Sequence, residues 1–328
     1  MLPPTLDDIR NARAHVYAAM AASPLMLHPR LAAHLGADVW VKHENHNPTG
    51  AFKVRGGLNL VARLSAEDRR RGVISATTGN HGQSIAFAAH RTGVSCTMVV
   101  PVGNNPAKNA SMRAWGATVI EHGRDFDEAR ALVERLCGER GLRYVHSANE
   151  PDLIAGVGTY ALEIAETLEG IEEVFVPIGG GSGACGMILV RDALGLPTRI
   201  VGVGAERADA VAHSWLTGTR VERDSADTFA EGLATRVTFD LTFGILRRGL
   251  DDFVLLTEEE LAGGVRLALD LTQNLAEGAG AASIAAALKC RERIAGKRIV
   301  CVMSGGNLDM ARLRRVLGAA HNHDDATA

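Results

Sequence analysis

The sequence predicts an α/β fold made of two parallel-sheet lobes, on three observations. Short β-branched runs alternate with longer stretches of helical character, Gly or Pro bounds most of them, and Gly is frequent while aromatics are scarce. That alternation belongs to βαβ units. At 328 residues the chain can bury a sizeable core and has room for about two domains.

The elements follow in order. Leu6 to Met20 suits an amphipathic helix, with Asp7 and Asp8 in its first turn and Ile9, Ala12, Val16 and Ala19 on one face. Ala37 to Val41 reads as a strand. A helix is then expected to open at Thr49, with Thr49 as its cap and Gly50 easing the turn, and to run through Arg63. Next come the strand Gly72 to Ala76 and helix His81 to Arg91, the strand Ser95 to Pro101 and helix Pro106 to Trp115, and the strand Ala117 to Ile120 and helix Phe126 to Arg140. The alternation resumes with strands at Glu173 to Ile178, Arg199 to Val203 and Arg298 to Met303, and helices at Ala184 to Ala193 and Ala282 to Leu288. Arg220 to Asp227 and Phe239 to Phe243 carry no assignment. We expect residues 72–148 to form a small domain inserted into a larger one built from 1–71 and 149–318, with 319–328 a disordered tail.

Charge and composition narrow the partners. A net charge of −3, with both signs interspersed, gives no footprint for nucleic acid or an acidic membrane surface. No apolar run approaches about 18 residues, and no charged-then-apolar leader opens the chain. The five cysteines are scattered, with no pair at metal-ligand spacing, so reduced thiols in a cytoplasmic protein are expected. The partner expected is a small molecule.

Five segments carry chemistry. In Pro48-Thr-Gly-Ala-Phe-Lys-Val-Arg-Gly56, Lys53 falls in the first turn of the expected helix, where free N–H groups disfavour a charged amine and leave a nucleophile for a carbonyl. A solvated helix lysine is the other reading. Ile178-Gly-Gly-Gly-Ser-Gly183 joins a strand to a helix, so successive N–H groups could wrap a phosphate; the spacing matches neither a nucleotide P-loop nor a dinucleotide fingerprint. Thr77-Thr-Gly-Asn-His-Gly-Gln83 opens a helix with donors suited to a carboxylate. Ser304 stands at the end of the last apolar strand, and Glu277-Gly-Ala-Gly-Ala281 forms a tight turn before a helix.

Taken together in chain order, these segments resemble the threonine dehydratase and serine racemase branch of fold-type II pyridoxal-phosphate enzymes, over about Leu6 to Arg315. The resemblance implies the tryptophan synthase β-like architecture, pyridoxal 5'-phosphate as cofactor and a homodimer. It makes Lys53 the Schiff-base lysine, with Phe52 packed beside the cofactor ring. Asn80 would bond the phenolic oxygen and Ser304 the pyridine nitrogen. Gly179, Gly180, Gly181, Ser182 and Gly183 would cup the phosphate, and Glu277 would line the pocket. Thr77, Thr78, Asn80 and His81 would surround the substrate carboxylate, with Thr78 in the place of the opposite-face acid or base.

Four departures shape the expectation. Ser182 stands where the family often has a fourth glycine. Thr78 replaces the serine of racemases, and its extra methyl crowds the second face, which argues for elimination over racemisation. The divalent-cation site of some relatives maps onto Glu206 and onto Ala212, which lacks a carboxylate, so no such metal site is expected. The short stretch after Ser304 argues against a regulatory domain and isoleucine feedback. The resemblance therefore implies dehydration and deamination of L-threonine, L-serine or a related β-hydroxy amino acid, with amino-acid racemisation as the alternative. A non-catalytic module gripping a phosphorylated ligand is the alternative of another class.

Overall fold

The computed structural model describes residues 1–318, arranged as two sheets with helices packed on their faces. Ten strands form them: Leu25–Leu27 (β1), Asp38–His43 (β2), Val73–Ala76 (β3), Cys96–Val100 (β4), Thr118–Glu121 (β5), Arg143–Tyr144 (β6), Glu173–Pro177 (β7), Arg199–Ala205 (β8), Asp252–Leu256 (β9) and Arg298–Met303 (β10). One sheet runs β1-β2-β10-β7-β8-β9 and the other β5-β4-β3-β6. Every pairing is parallel except β1 with β2. Helices cover such sheets on both faces, which is why β7 is buried at every residue and β10 at all but its first.

The helix Lys53–Ala62 is wedged between the helices Asn80–Thr92 and Pro151–Thr167. The approach is close enough that a methyl at Gly57 would lie 2.2 Å from Ser84 Oγ, and one at Gly156 would lie 2.4 Å from the Arg55 carbonyl oxygen. Beneath it sits a buried charge cluster. Arg55 donates from Nε to Glu44 (2.7 Å) and from Nη1 to Glu163 (2.6 Å), and Lys42 Nζ lies 2.5 Å from Glu163. Two cations facing two carboxylates leave the cluster neutral, which is what lets such groups be buried together.

The start of this helix corrects the sequence reading. It begins at Lys53 rather than Thr49, Phe52 occupies the cap position without a side-chain bond, and the buried Thr49 hydroxyl has no hydrogen-bond partner among the described residues. The cause is non-local. Phe52 N–H donates to the Ser304 carbonyl at 3.0 Å and Ala51 bridges Gly305, so the preceding backbone pairs with the loop after β10. Gly50 does turn the chain, at φ 66°.

The first helix ends at Tyr17 rather than Met20, and opens on a capping box between Thr5 and Asp8. The unassigned stretch around Phe239–Phe243 contains the start of the helix Asp240–Gly249. Cys96, Cys185 and Cys301 are buried, Cys137 and Cys290 partly so, and all five are free thiols. Among the described residues no helix is long and apolar enough to cross a membrane. The expectation for 319–328 lies outside the described residues.

Candidate active site

A cavity of about 520 Å³ opens where the loops after β3, β7 and β10 meet. Strand ends of parallel sheets are where ligand crevices form. Its wall includes Phe52 and Lys53, the Thr77–His81 segment, Gly179–Gly183, Glu277 and Ser304, so residues up to 252 positions apart, from Phe52 to Ser304, share one space.

Lys53 is the first residue of its helix, and its amine donates to the Ser147 carbonyl at 3.1 Å and to Ser182 Oγ at 3.0 Å. No carboxylate accompanies these contacts, and burial lowers its pKa from 10.5 to about 8. The amine also lies 5.1 Å from the centre of the Phe52 ring. Such an amine is neutral in useful proportion at modest pH and is fit to attack an aldehyde.

The glycine segment leaves β7 and enters the helix Ser182–Leu194 through Gly181, whose φ of 93° favours glycine. Gly179 is fixed by packing as well, since a methyl there would lie 2.1 Å from the Gly232 carbonyl oxygen. The first-turn N–H groups of Ser182, Gly183 and Ala184 precede any intrahelical acceptor, which makes this helix start a seat for an anion. Amine, anion seat and the Ser182 hydroxyl therefore adjoin. That donor set fits a phosphorylated aldehyde.

The segment after β3 is braced by its own side chain. Thr77 Oγ1 accepts from Gly79 N–H and Gly82 N–H, both at 3.0 Å, so the hydroxyl shapes the loop. Thr78 faces the cavity half-exposed. The His81 ring turns to Ser75 Oγ (3.0 Å), its Nδ1 is buried without a hydrogen-bond partner among the described residues, and burial, with the Lys53 charge, pushes its pKa down to about 3. A carboxylate here would meet a neutral ring and the N–H groups of the first turn.

Asn80 donates from Nδ2 to Glu277 and accepts at Oδ1 from Asn307 Nδ2 at 2.8 Å. Glu277 stands at the cap of the helix Gly278–Lys289 and pairs with Lys108 Nζ at 3.2 Å. Ser304 donates from Oγ to the Ala279 carbonyl at 3.3 Å.

Several wall residues escaped the sequence reading. Ser147 and Lys108 lie outside every motif, and the unassigned stretch around 224–227 lines the cavity together with Glu231 and Arg236. Arg236 faces Asp125 across the cleft at 3.8 Å and also donates to the Asp224 carbonyl. The one available signal was charge within a loop, which surface loops share. Away from the cavity, Glu206 lies 3.8 Å from Lys289, Asp209 pairs with Arg223, and Ala212 offers no ligand. Among the described residues no three His, Cys, Asp or Glu side chains gather to hold a metal.

Known proteins resemble this chain over most of its length. A family model described as pyridoxal-phosphate dependent enzyme matches residues 16–305. The L-threonine ammonia-lyase of Thermotoga maritima is 36% identical over 313 residues, covering 95% of this chain and 78% of that protein. Among solved structures, the processed form of threonine deaminase isoform 2 from Solanum lycopersicum superposes with a TM-score of 0.89 at 31% identity, over 97% of this chain and 96% of that one. Maize serine racemase superposes with a TM-score of 0.90 at 27% identity, over 98% and 99%.

Proposed function

Since the chain belongs to the family of pyridoxal-phosphate dependent enzymes, we propose that it dehydrates and deaminates a β-hydroxy amino acid, L-threonine or L-serine first, to a 2-oxo acid and ammonia. The observation that carries this reading is the Lys53 amine, held beside Ser182 at the anion seat with its pKa lowered to about 8. Near-full-length relatives named as ammonia-lyases set aside the reading as a non-catalytic binding module.

The residues present fit the cofactor. Gly179 to Gly183 would hold its phosphate, Asn80 its phenolic oxygen, Ser304 its ring nitrogen and Phe52 one side of its ring, with Glu277 on the wall. When bound, pyridoxal phosphate supplies an electrophilic aldehyde and a conjugated ring that accepts the electron pair left at the α-carbon. The rest is done by the chain. The first turn of the helix Asn80–Thr92, with Thr77, Thr78 and His81 around it, fixes the substrate carboxylate. Lys53 Nζ, neutral once its proton is shed, removes the α-proton. Ser304, its one O–H turned from the Ala279 carbonyl to the ring nitrogen, would give that nitrogen a neutral partner, which limits charge storage there and favours departure of the β-hydroxyl. Water leaves in the elimination and water returns in the hydrolysis that frees ammonia, so the reaction is balanced overall.

Racemisation would need a second proton donor on the opposite face. Thr78 lines the cavity and is the residue we assign to that face, but its methyl crowds it. The homodimer implied by the resemblance belongs to the same proposal, and analytical ultracentrifugation tests it.

The deciding experiment is to supply the purified, cofactor-loaded protein with L-threonine, L-serine, 3-hydroxyaspartate and phenylserine. Equal amounts of 2-oxo acid and ammonia are followed together with the chirality of the remaining substrate. Matched release from at least one of them is expected. Inversion of configuration without ammonia would replace this reading with racemisation.

A further inference from the structure

Glu277 is gripped by two side chains that reach it from across the cleft. Asn80 donates to its Oε1, and Lys108 Nζ lies 3.2 Å from its Oε2. Asn80 and Lys108 belong to helices beside β3, β4 and β5, whereas Glu277 caps a helix packed against β7 and β10. Lys108 and Glu277 are each only 5% exposed. A carboxyl that takes a donor on both oxygens fits the ionised form, which accepts only.

The Asn80 amide is thereby fixed at both ends. The Thr49 carbonyl can only accept, so the Asn307 group 2.8 Å from it is the nitrogen. That nitrogen also lies 2.8 Å from Asn80 Oδ1, and Glu277 receives Asn80 Nδ2. An amide nitrogen carries two hydrogens. The second N–H of Asn80 is left with its direction set by this frame, on the cavity wall.

We propose that Lys108 is a positioning residue: by pairing with Glu277 it locks the Asn80 amide so that the remaining N–H is presented to the phenolic oxygen of the bound cofactor. The proposal rests on the function proposed above. Lys108 is itself firmly seated. Its stem covers Gly79, where a methyl would lie 2.3 Å from Lys108 Cδ, and its amine has a second carboxylate, Glu231, at 2.7 Å. Burial works against its charge, but Glu277 and Glu231 outweigh burial and raise its pKa, so it remains a cation. Without that charge the buried Glu277 carboxylate is held by Asn80 alone and is free to turn, so the frame around Asn80 loses one side.

The test uses holoenzyme carrying Lys108→Met, Lys108→Arg, Glu277→Gln and the Lys108→Met/Glu277→Gln pair. Three quantities are read: the cofactor dissociation constant, the pH midpoint of the visible absorbance of the bound cofactor, and kcat and KM separately. A glutamine at 277 has one acceptor oxygen, so either Asn80 or Lys108 must face its NH2. Lys108→Met and Glu277→Gln are each expected to move the absorbance midpoint by about one pH unit or more. Each should weaken cofactor binding roughly tenfold to a hundredfold, by analogy with outer-shell partners of bound groups. The kcat should fall more than KM changes, Lys108→Arg should restore most of both, and the pair should be no worse than the worse single change.

A Lys108→Met holoenzyme with wild-type absorbance midpoint and cofactor affinity, whatever its melting temperature, would overturn the proposal and leave Lys108 a structural ion-pair partner. If that variant does not accumulate folded, Glu277→Gln decides by the same spectral criterion. A wild-type protein that takes up no pyridoxal phosphate is a different failure, of the parent reading, and removes this inference with it.

Discussion

Lys53 and Ser182, 129 positions apart, meet through a 3.0 Å hydrogen bond from the amine to the hydroxyl. The contact joins the proposed nucleophile to the first residue of the helix whose start would seat an anion, so the loop that would hold the cofactor also orients the lysine that would bind it. A glycine in place of Ser182 would supply the same N–H but no acceptor. The departure from an all-glycine loop thus has a defined partner.

Ser182→Ala is predicted to keep the fold and weaken cofactor binding by up to about tenfold, the scale of one hydrogen bond of about 0.5–1.5 kcal/mol. Spectral titration of the apoprotein checks it. Unchanged affinity would make the hydroxyl incidental.

Burial lowers the Lys53 pKa from 10.5 to about 8, and the reactive form is the neutral amine. The rate at which apoprotein captures pyridoxal phosphate should therefore rise with pH and level off just above about 8. A solvated lysine would go on rising toward its ordinary pKa of about 10.4. The linked stability has the same direction: between about 8 and 10.5 the unfolded chain binds the proton that the folded chain has lost, so apoprotein stability should rise with pH across that window.

Arg55→Met should be among the most damaging changes outside the cavity. It leaves Glu44 and Glu163 buried beneath the lysine helix with Lys42 as their remaining cation, and loss of one partner from such a cluster costs about 3–5 kcal/mol. Urea denaturation measures it, and a loss under about 1 kcal/mol would show that the cluster relaxes.

Thr78→Ser removes the methyl from the second face of the cavity and keeps the hydroxyl. We predict that elimination stays within a few-fold of wild type while racemisation of serine rises at least about tenfold, a barrier change of about 1.4 kcal/mol. Chiral chromatography of recovered substrate checks it.

The parts of the fold that local chemistry dictates were legible. The helix Phe126–Arg140 was read to the residue because Asp125 caps it and Gly141 ends it in the left-handed region, and β10 because its apolar β-branched run is continuous. The short strands β1 and β6 were not, having too few residues to show a period, and β9 lies in a stretch that was not assigned. The start of the lysine helix was misplaced because Ser304, 252 positions beyond Phe52, draws in the backbone at Phe52. The same division holds for the site. Consecutive residues announced the lysine, the glycine loop and a helix start within Thr77–Gln83, whereas Lys108, Ser147 and Arg236 arrive singly from elements that only the topology brings to the cavity.

The central claim is a covalent bond between the Lys53 amine and the aldehyde of pyridoxal phosphate. Borohydride reduction of cofactor-loaded protein, followed by peptide mass spectrometry, tests it most directly. One reduced pyridoxyl group, on Lys53, is expected, together with loss of the label and at least about a thousandfold loss of turnover in Lys53→Ala. An active, cofactor-loaded protein whose label maps to another lysine, or that carries none, would contradict it.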